Sequence, residues 1–170
     1  MNSTVGMGSE VSELATSGLS QNEAFTERVL ASINDCIQVL DLDARLTFMS
    51  EGGQNIMEVS DFNTIRGCSW PDFWQDQGNL DAKAAVQAAR NGESASFIGP
   101  AQTLAGNLKW WYVQVSPILG SNGRPEQILC VSRDITALRE AEEALRKLNE
   151  SLEQRVVERT RDRDRIWRLS

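Results

Sequence analysis

The chain has no histidine among its 170 residues. That absence excludes a histidine-ligated haem, a Ser–His or Cys–His nucleophile pair and a phospho-accepting histidine within this sequence. Cysteine is scarce too. Cys36, Cys68 and Cys130 are odd in number and far apart, so they offer neither a disulfide framework nor a zinc-ligand spacing. No run of about 20 apolar residues occurs, so no membrane insertion is expected. The opening stretch, rich in Ser, Gly and Glu, has no apolar core of a signal peptide. A reducing, cytoplasmic setting follows as the expectation. There is no glycine-rich nucleotide loop. Ser69 has no general base, and Asp72 and Asp76 read as solvated carboxylates rather than an acid–base pair. The chain itself is therefore not expected to be an enzyme, and no metal site is expected.

Charge is present but unevenly placed. Residues 137–170 carry nine basic and eight acidic side chains, a net of +1, whereas residues 1–136 carry eight against sixteen, a net of −8. An acidic body argues against nucleic acid as the partner. In the tail Asp and Glu interleave with the arginines, the pattern of a solvated helix laced with ion pairs.

Periodicity divides the chain into a leader (1–22), a folded domain (23–136) and a terminal helix (137–170). The leader carries a weak helical turn at Val11–Leu19. Phe25, Val29, Leu30 and Ile33 predict a short amphipathic helix over 23–33. Strands are expected at Cys36–Leu42 and Arg45–Ser50 around an Asp43-Ala44 turn, with Gly52-Gly53 ending the second. Gln54–Val59 and Trp70–Gln75 read as helical turns. Asn79–Arg90 reads as a helix with a narrow small-residue face, Ala82, Ala85, Val86 and Ala89, stopped at Asn91-Gly92. Three strands follow, Glu93–Thr103, Leu108–Pro117 and Gln127–Arg133, the last two joined at Ser121-Asn122-Gly123, where Asn-Gly suits a hairpin turn. The order predicts an α+β fold, a five-stranded antiparallel sheet with helices mainly on one face.

The period then changes without a loop. Up to Arg133 it is two; from Thr136 onward it is helical, for about 50 Å at 1.5 Å per residue. Leu138, Ala141, Leu145, Leu148 and Leu152 step by 3, 4, 3 and 4, a heptad seam for a coiled-coil dimer. In register the seam meets Arg155, Arg159 and Asp162 before Ile166 and Leu169. A four-residue step from Leu152 to Val156 would be a stutter. Two packings of such a seam, or a static rod, are both open.

These landmarks resemble the PAS family. The residues that carry the resemblance are Asp35–Asp41 with Leu46–Ser50, then Gly67-Cys68-Ser69-Trp70-Pro71-Asp72-Phe73-Trp74, then Trp110–Ile118, and finally Ser132-Arg133-Asp134-Ile135-Thr136. The continuation Glu153–Thr160 is similar to the linker helix of bacterial sensor histidine kinases. The resemblance implies a PAS sensor domain passing a signal through Asp134, Ile135 and Thr136 to a helix that controls a kinase domain of the same protein. The chain ends in mid-pattern at Trp167-Arg168-Leu169-Ser170, as expected of a piece of a larger protein. A stand-alone ligand- or flavin-binding photoreceptor and a pure dimerisation module are the alternatives.

By the same resemblance, Trp111, Val113 and Val115 with Ile128, Cys130 and Ser132 face the helices. Trp110, Tyr112, Leu129 and Val131 then leave an apolar outer face, to be covered in a homodimer together with the terminal helix. Trp70, Trp111, Val113, Cys130 and Ser132 are the candidate ligand-pocket residues, with core packing their simpler role. In the flavin-binding branch a photoactive cysteine follows the central glycine by three positions, where this chain has Trp70. Its two flavin-contacting amides fall on Trp111 and Ser132. No flavin is therefore expected, and a small ligand of unknown kind is left open. Asp134 is expected to fix the joint with a basic partner, Arg133, Arg139 or another arginine. Thr136 is expected to be the helix N-cap.

Overall fold

The structure, a computed structural model, describes residues 21–169. The leader lies outside these residues except for its last two, as does the turn at Val11–Leu19. Helix α1 spans residues 21–32. Its apolar side is not used by the core: Phe25 is 60% and Val29 42% exposed.

Strands β1 (Cys36–Leu40) and β2 (Leu46–Met49) form the first hairpin. Asp41 builds the turn, its Oδ1 accepting from the amides of Asp43 and Arg45 at 2.9 and 3.0 Å, as short acidic side chains do in turns. Gly52 and Gly53, expected from propensity to end β2, instead lie inside helix α2 (Glu51–Ile56). The reason is the cap. Ser50 is buried, and its hydroxyl accepts from Gly53 N and from Ile37 N, each at 3.1 Å. One side chain thereby starts the helix and ties it to β1, which offsets part of the roughly 1 kcal/mol per residue that glycine costs a helix.

Two 3-10 turns follow, Phe62–Thr64 and Trp70–Phe73. Helix α3 (Gln77–Arg90) starts two residues before its expected boundary. Its small-residue face is buried throughout, with Ala82, Ala85, Val86 and Ala89 at most 2% exposed. Small side chains on that face let the helix lie close against the sheet.

Strands β3 (Ala95–Gln102), β4 (Leu108–Leu119) and β5 (Pro125–Asp134) complete a five-stranded antiparallel sheet of order β2-β1-β5-β4-β3. β4 runs past Pro117 because Pro117–Leu119 go on pairing with Ile128–Pro125. Strand β5 is central, paired with β1 on one side and β4 on the other. The inner face carries Leu40, Trp111, Val113, Val115, Ile128 and Cys130, none more than 1% exposed. Helix α4 (Thr136–Leu169) leaves the end of β5, and none of its residues is buried.

One substitution reads the packing of α2. Alanine in place of glycine ordinarily stabilises a helix by about 0.5–1 kcal/mol. At Gly53 a β-carbon would lie 2.7 Å from Cys36 Sγ and 3.2 Å from Cys36 Cα. Gly53→Ala is therefore expected to destabilise, by roughly 1–3 kcal/mol, in chemical denaturation. A gain in stability would show that α2 does not press on β1.

Candidate functional site

The joint is built from β4, β5 and the first turn of α4. Ile135 N donates to Trp110 O at 2.8 Å, and Trp110 N donates to Thr136 Oγ1 at 2.9 Å. Arg139 N donates to Ile135 O at 2.9 Å, which closes the first helical turn. Asp134 Oδ1 accepts from Thr136 N at 3.0 Å. Thr136 is thus not the N-cap expected from its residue type. Its hydroxyl serves strand β4, and Asp134 satisfies the first unpaired helical N–H.

The basic partner of Asp134 is a lysine, not one of the expected arginines. Lys109 Nζ lies 3.3 Å from Asp134 Oδ2. The register explains it: Trp111 pairs with Asp134, so Lys109, two residues back on the same face, is the diagonal neighbour of Asp134. Arg133 is engaged by Asp35 at 3.0 Å. The Arg139 guanidinium sits 3.8 Å above the Trp110 ring, a cation–π contact on the opposite face of the sheet. The root of α4 is held from both sides, by an ion pair on the inner face and a stacked arginine on the outer.

Of the expected pocket residues, Trp70, Trp111 and Ser132 line an interior cavity of about 20 Å³ with Cys36, Gln38, Met57 and Trp74. Val113 and Cys130 are buried but do not line it. The volume suits about one water molecule. Indoles fill most of the interior. Trp70 and Trp74 meet edge-to-face at 6.0 Å, and Phe97 meets Trp74 at 5.1 Å. Trp70 Nε1 donates to Gln38 Oε1 at 2.9 Å and Trp111 Nε1 to Ala101 O at 3.3 Å. Trp74 Nε1 is buried with no hydrogen-bond partner among the described residues. Burial, and then the charge of Asp35, push the Cys36 thiol up to about 12, and burial pushes Cys130 up as well. Neither thiol is a nucleophile at neutral pH. Cys68 is exposed.

Along α4 the seam residues Leu138, Leu145, Leu148 and Leu152 are 49–65% exposed. Arg146 pairs with Glu143 and Glu150 on the opposite side of the helix, so the ion pairs leave the apolar stripe clear.

Residue patterns alone miss Lys109, Gln38, Met57 and Glu58. Lys109 left one signal: opposite charges, Lys109 and Asp134, end the inner faces of adjacent strands.

Burial would raise the Asp134 carboxyl, but hydrogen bonds from Thr136 and the Lys109 ammonium together pull it below the ordinary carboxylate value. A lowered folded value means the stabilisation is present above the unfolded value, about 3.9, and is lost as pH falls through the folded one. Asp134→Asn should lower Tm at neutral pH, and the gap from the parent chain should close as the pH of the melts falls through the lowered carboxyl value. A gap of constant size would show that the charge contributes nothing.

Comparisons with known proteins agree with this architecture. The family model described as PAS fold matches residues 30–140. No curated protein matches the chain. Among solved structures, an RNA-binding light-oxygen-voltage receptor superposes with a TM-score of 0.65 at 16% identity, covering 88% of this chain and 41% of that one. The chain thus spans less than half of that receptor. The PAS domain of an HTR-like protein from Haloarcula marismortui gives 0.62 at 19% identity over 72% of this chain and 99% of its own. A domain assigned to a light- and redox-sensing histidine kinase from the same organism gives 0.51 at 17% identity, over 66% and 99%. At these identities the likeness concerns the fold. With its matched span, strand order and joint, the chain belongs to the PAS family.

Proposed function

We propose that this chain is the sensory and dimerisation module of a signal-transduction protein, and that its output is a histidine kinase domain of the same protein. One observation carries the reading: the central strand β5 passes into α4 through a joint pinned by Lys109, Asp134 and Thr136, so a distortion of the sheet moves the root of the helix. The exposed seam from Leu138 to Leu152 supports a coiled-coil homodimer. The outer sheet face supports the same assembly. Phe48, Ile98 and Tyr112 are 39–49% exposed there, a patch that calls for cover. The seam is apolar at both ends and polar at Arg155, Arg159 and Asp162. That favours two packings of similar energy, between which a bias of a few kcal/mol decides. The similarity to a domain assigned to a histidine kinase supports the choice of output. The setting proposed is cytoplasmic; no helix among the described residues is long and apolar enough to cross a membrane.

The stimulus in this reading is not light absorbed by a flavin. Trp70, Trp111 and Ser132 stand at the marker positions of the flavin-binding branch. The cavity they line, about 20 Å³, is far smaller than an isoalloxazine, a drug-sized ring system whose pocket runs to some 300 Å³ or more. A small ligand or a change in packing is the input proposed. A flavin absorption band in the purified protein would favour the photoreceptor alternative.

Two experiments test the proposal. Asp134→Ala in the parent protein is expected to uncouple stimulus from kinase output while the sheet stays folded by circular dichroism; unaltered signalling would overturn the role of the joint. Single cysteines placed along 141–169 should cross-link in two phases that exchange weight with the signalling state. One fixed phase in both states would leave only a static rod.

A further inference from the structure

Three consecutive residues at the end of α2 touch three different parts of the molecule. The Ile56 carbonyl accepts from Lys109 Nζ at 3.3 Å. The Met57 side chain lines the interior cavity, and its carbonyl accepts from Leu104 N at 3.1 Å. The Glu58 carboxylate accepts from Thr103 Oγ1 at 2.7 Å and from Asn107 Nδ2 at 2.8 Å. Thr103 and Asn107 close the β3–β4 turn, with Thr103 N donating to Asn107 O at 2.9 Å. Glu58 does this at a φ of +57°. A non-glycine residue with its backbone in the left-handed region persists only where its surroundings hold it, and such residues cluster where a structure switches.

Lys109 connects this segment to the joint. An ammonium has three donors and no acceptor. One faces the Ile56 carbonyl and another the Asp134 carboxylate, both at 3.3 Å. The carbonyl lies at the C-terminal, negative end of α2, which attracts a cation. The carboxylate caps the first turn of α4. A single cation therefore holds together the end of α2, next to the cavity-lining Met57, and the start of the outgoing helix.

We propose that Ile56, Met57 and Glu58 form a clasp that reports the state of the interior to α4 through Lys109. With the cavity filled to within about one water's volume, an added ligand atom must displace a wall. Met57 is the wall that adjoins the Lys109 contact. Moving it outward carries the Ile56 carbonyl away from Lys109. The ammonium then loses one of its two direct contacts and is left between Asp134 and the more distant Glu58 charge, and its grip on Asp134 weakens. Glu58, held by Thr103 and Asn107, is the fixed pivot. This inference rests on the reading of the joint as the output, and adds the route by which the input reaches it.

The test is a double substitution read by amide exchange in this chain. Met57→Phe enlarges the wall residue and mimics the displacement. Exchange at Thr136 and Arg139 should quicken by about tenfold, within the usual range of a coupling between sites, while Val113 and Cys130 keep their protection. In a Lys109→Met background, or Lys109→Gln if the first variant does not fold, Met57→Phe should leave Thr136 and Arg139 nearly where that background puts them. Equal quickening in both backgrounds would overturn the route through Lys109. No quickening in the parent chain would overturn the clasp itself. Either result is independent of whether Asp134→Ala alters kinase output, so failure of the clasp and failure of the proposed function are separable.

Discussion

Strand β5 constrains everything else. It lies at the centre of the sheet, bonded to β1 on one side and β4 on the other, and the backbone leaves it for α4 with only Ile135 intervening. A central strand cannot move alone, because both of its ladders must move with it. A helix continuous with such a strand inherits the orientation of the whole sheet rather than of one edge. The hydrogen bonds between Trp110 and the pair Ile135 and Thr136 extend the β4 ladder one step into the helix. The boundary between sheet and helix is consequently stiff.

That stiffness coexists with weak charge pairing. Lys109 and Asp134 are both more than a quarter exposed, and ion pairs of that kind are worth roughly 0–1 kcal/mol. The core beneath is different. Trp70, Trp111, Val113, Val115 and Ile128 are essentially sealed, and removing any large one costs roughly 3–5 kcal/mol. The protein places its strongest packing in the core of the sheet and its weaker, partly exposed charge pairing at the root of α4. Regions that move are drawn from the low-stability end of a structure.

Much of this was legible in the residue order. Strand alternation separated Trp111, Val113 and Val115 from Trp110 and Tyr112, because the pleat admits no other division. The alanine face of α3 and the change of period at Asp134 are likewise local, and local patterns are what a sequence displays. The misreadings are equally physical. Gly52 and Gly53 look like a strand end by propensity, yet Ser50 caps a helix across them, and Gly53 is demanded by a neighbour at Cys36. Thr136 looks like an N-cap, yet its hydroxyl is taken by a strand 26 residues away. Lys109 reaches a carbonyl 53 residues distant, and no window of sequence contains both. What escaped was the set of contacts that topology alone brings together.

The interior sharpens the functional argument. A domain with a large open cavity can bind a ligand and change little. One that three indoles and Phe97 fill to within about 20 Å³ cannot, since close-packed interiors transmit strain rather than absorb it. A crowded interior, beside a stiff joint whose charge pairing is weak, is the arrangement on which the proposed movement of α4 rests.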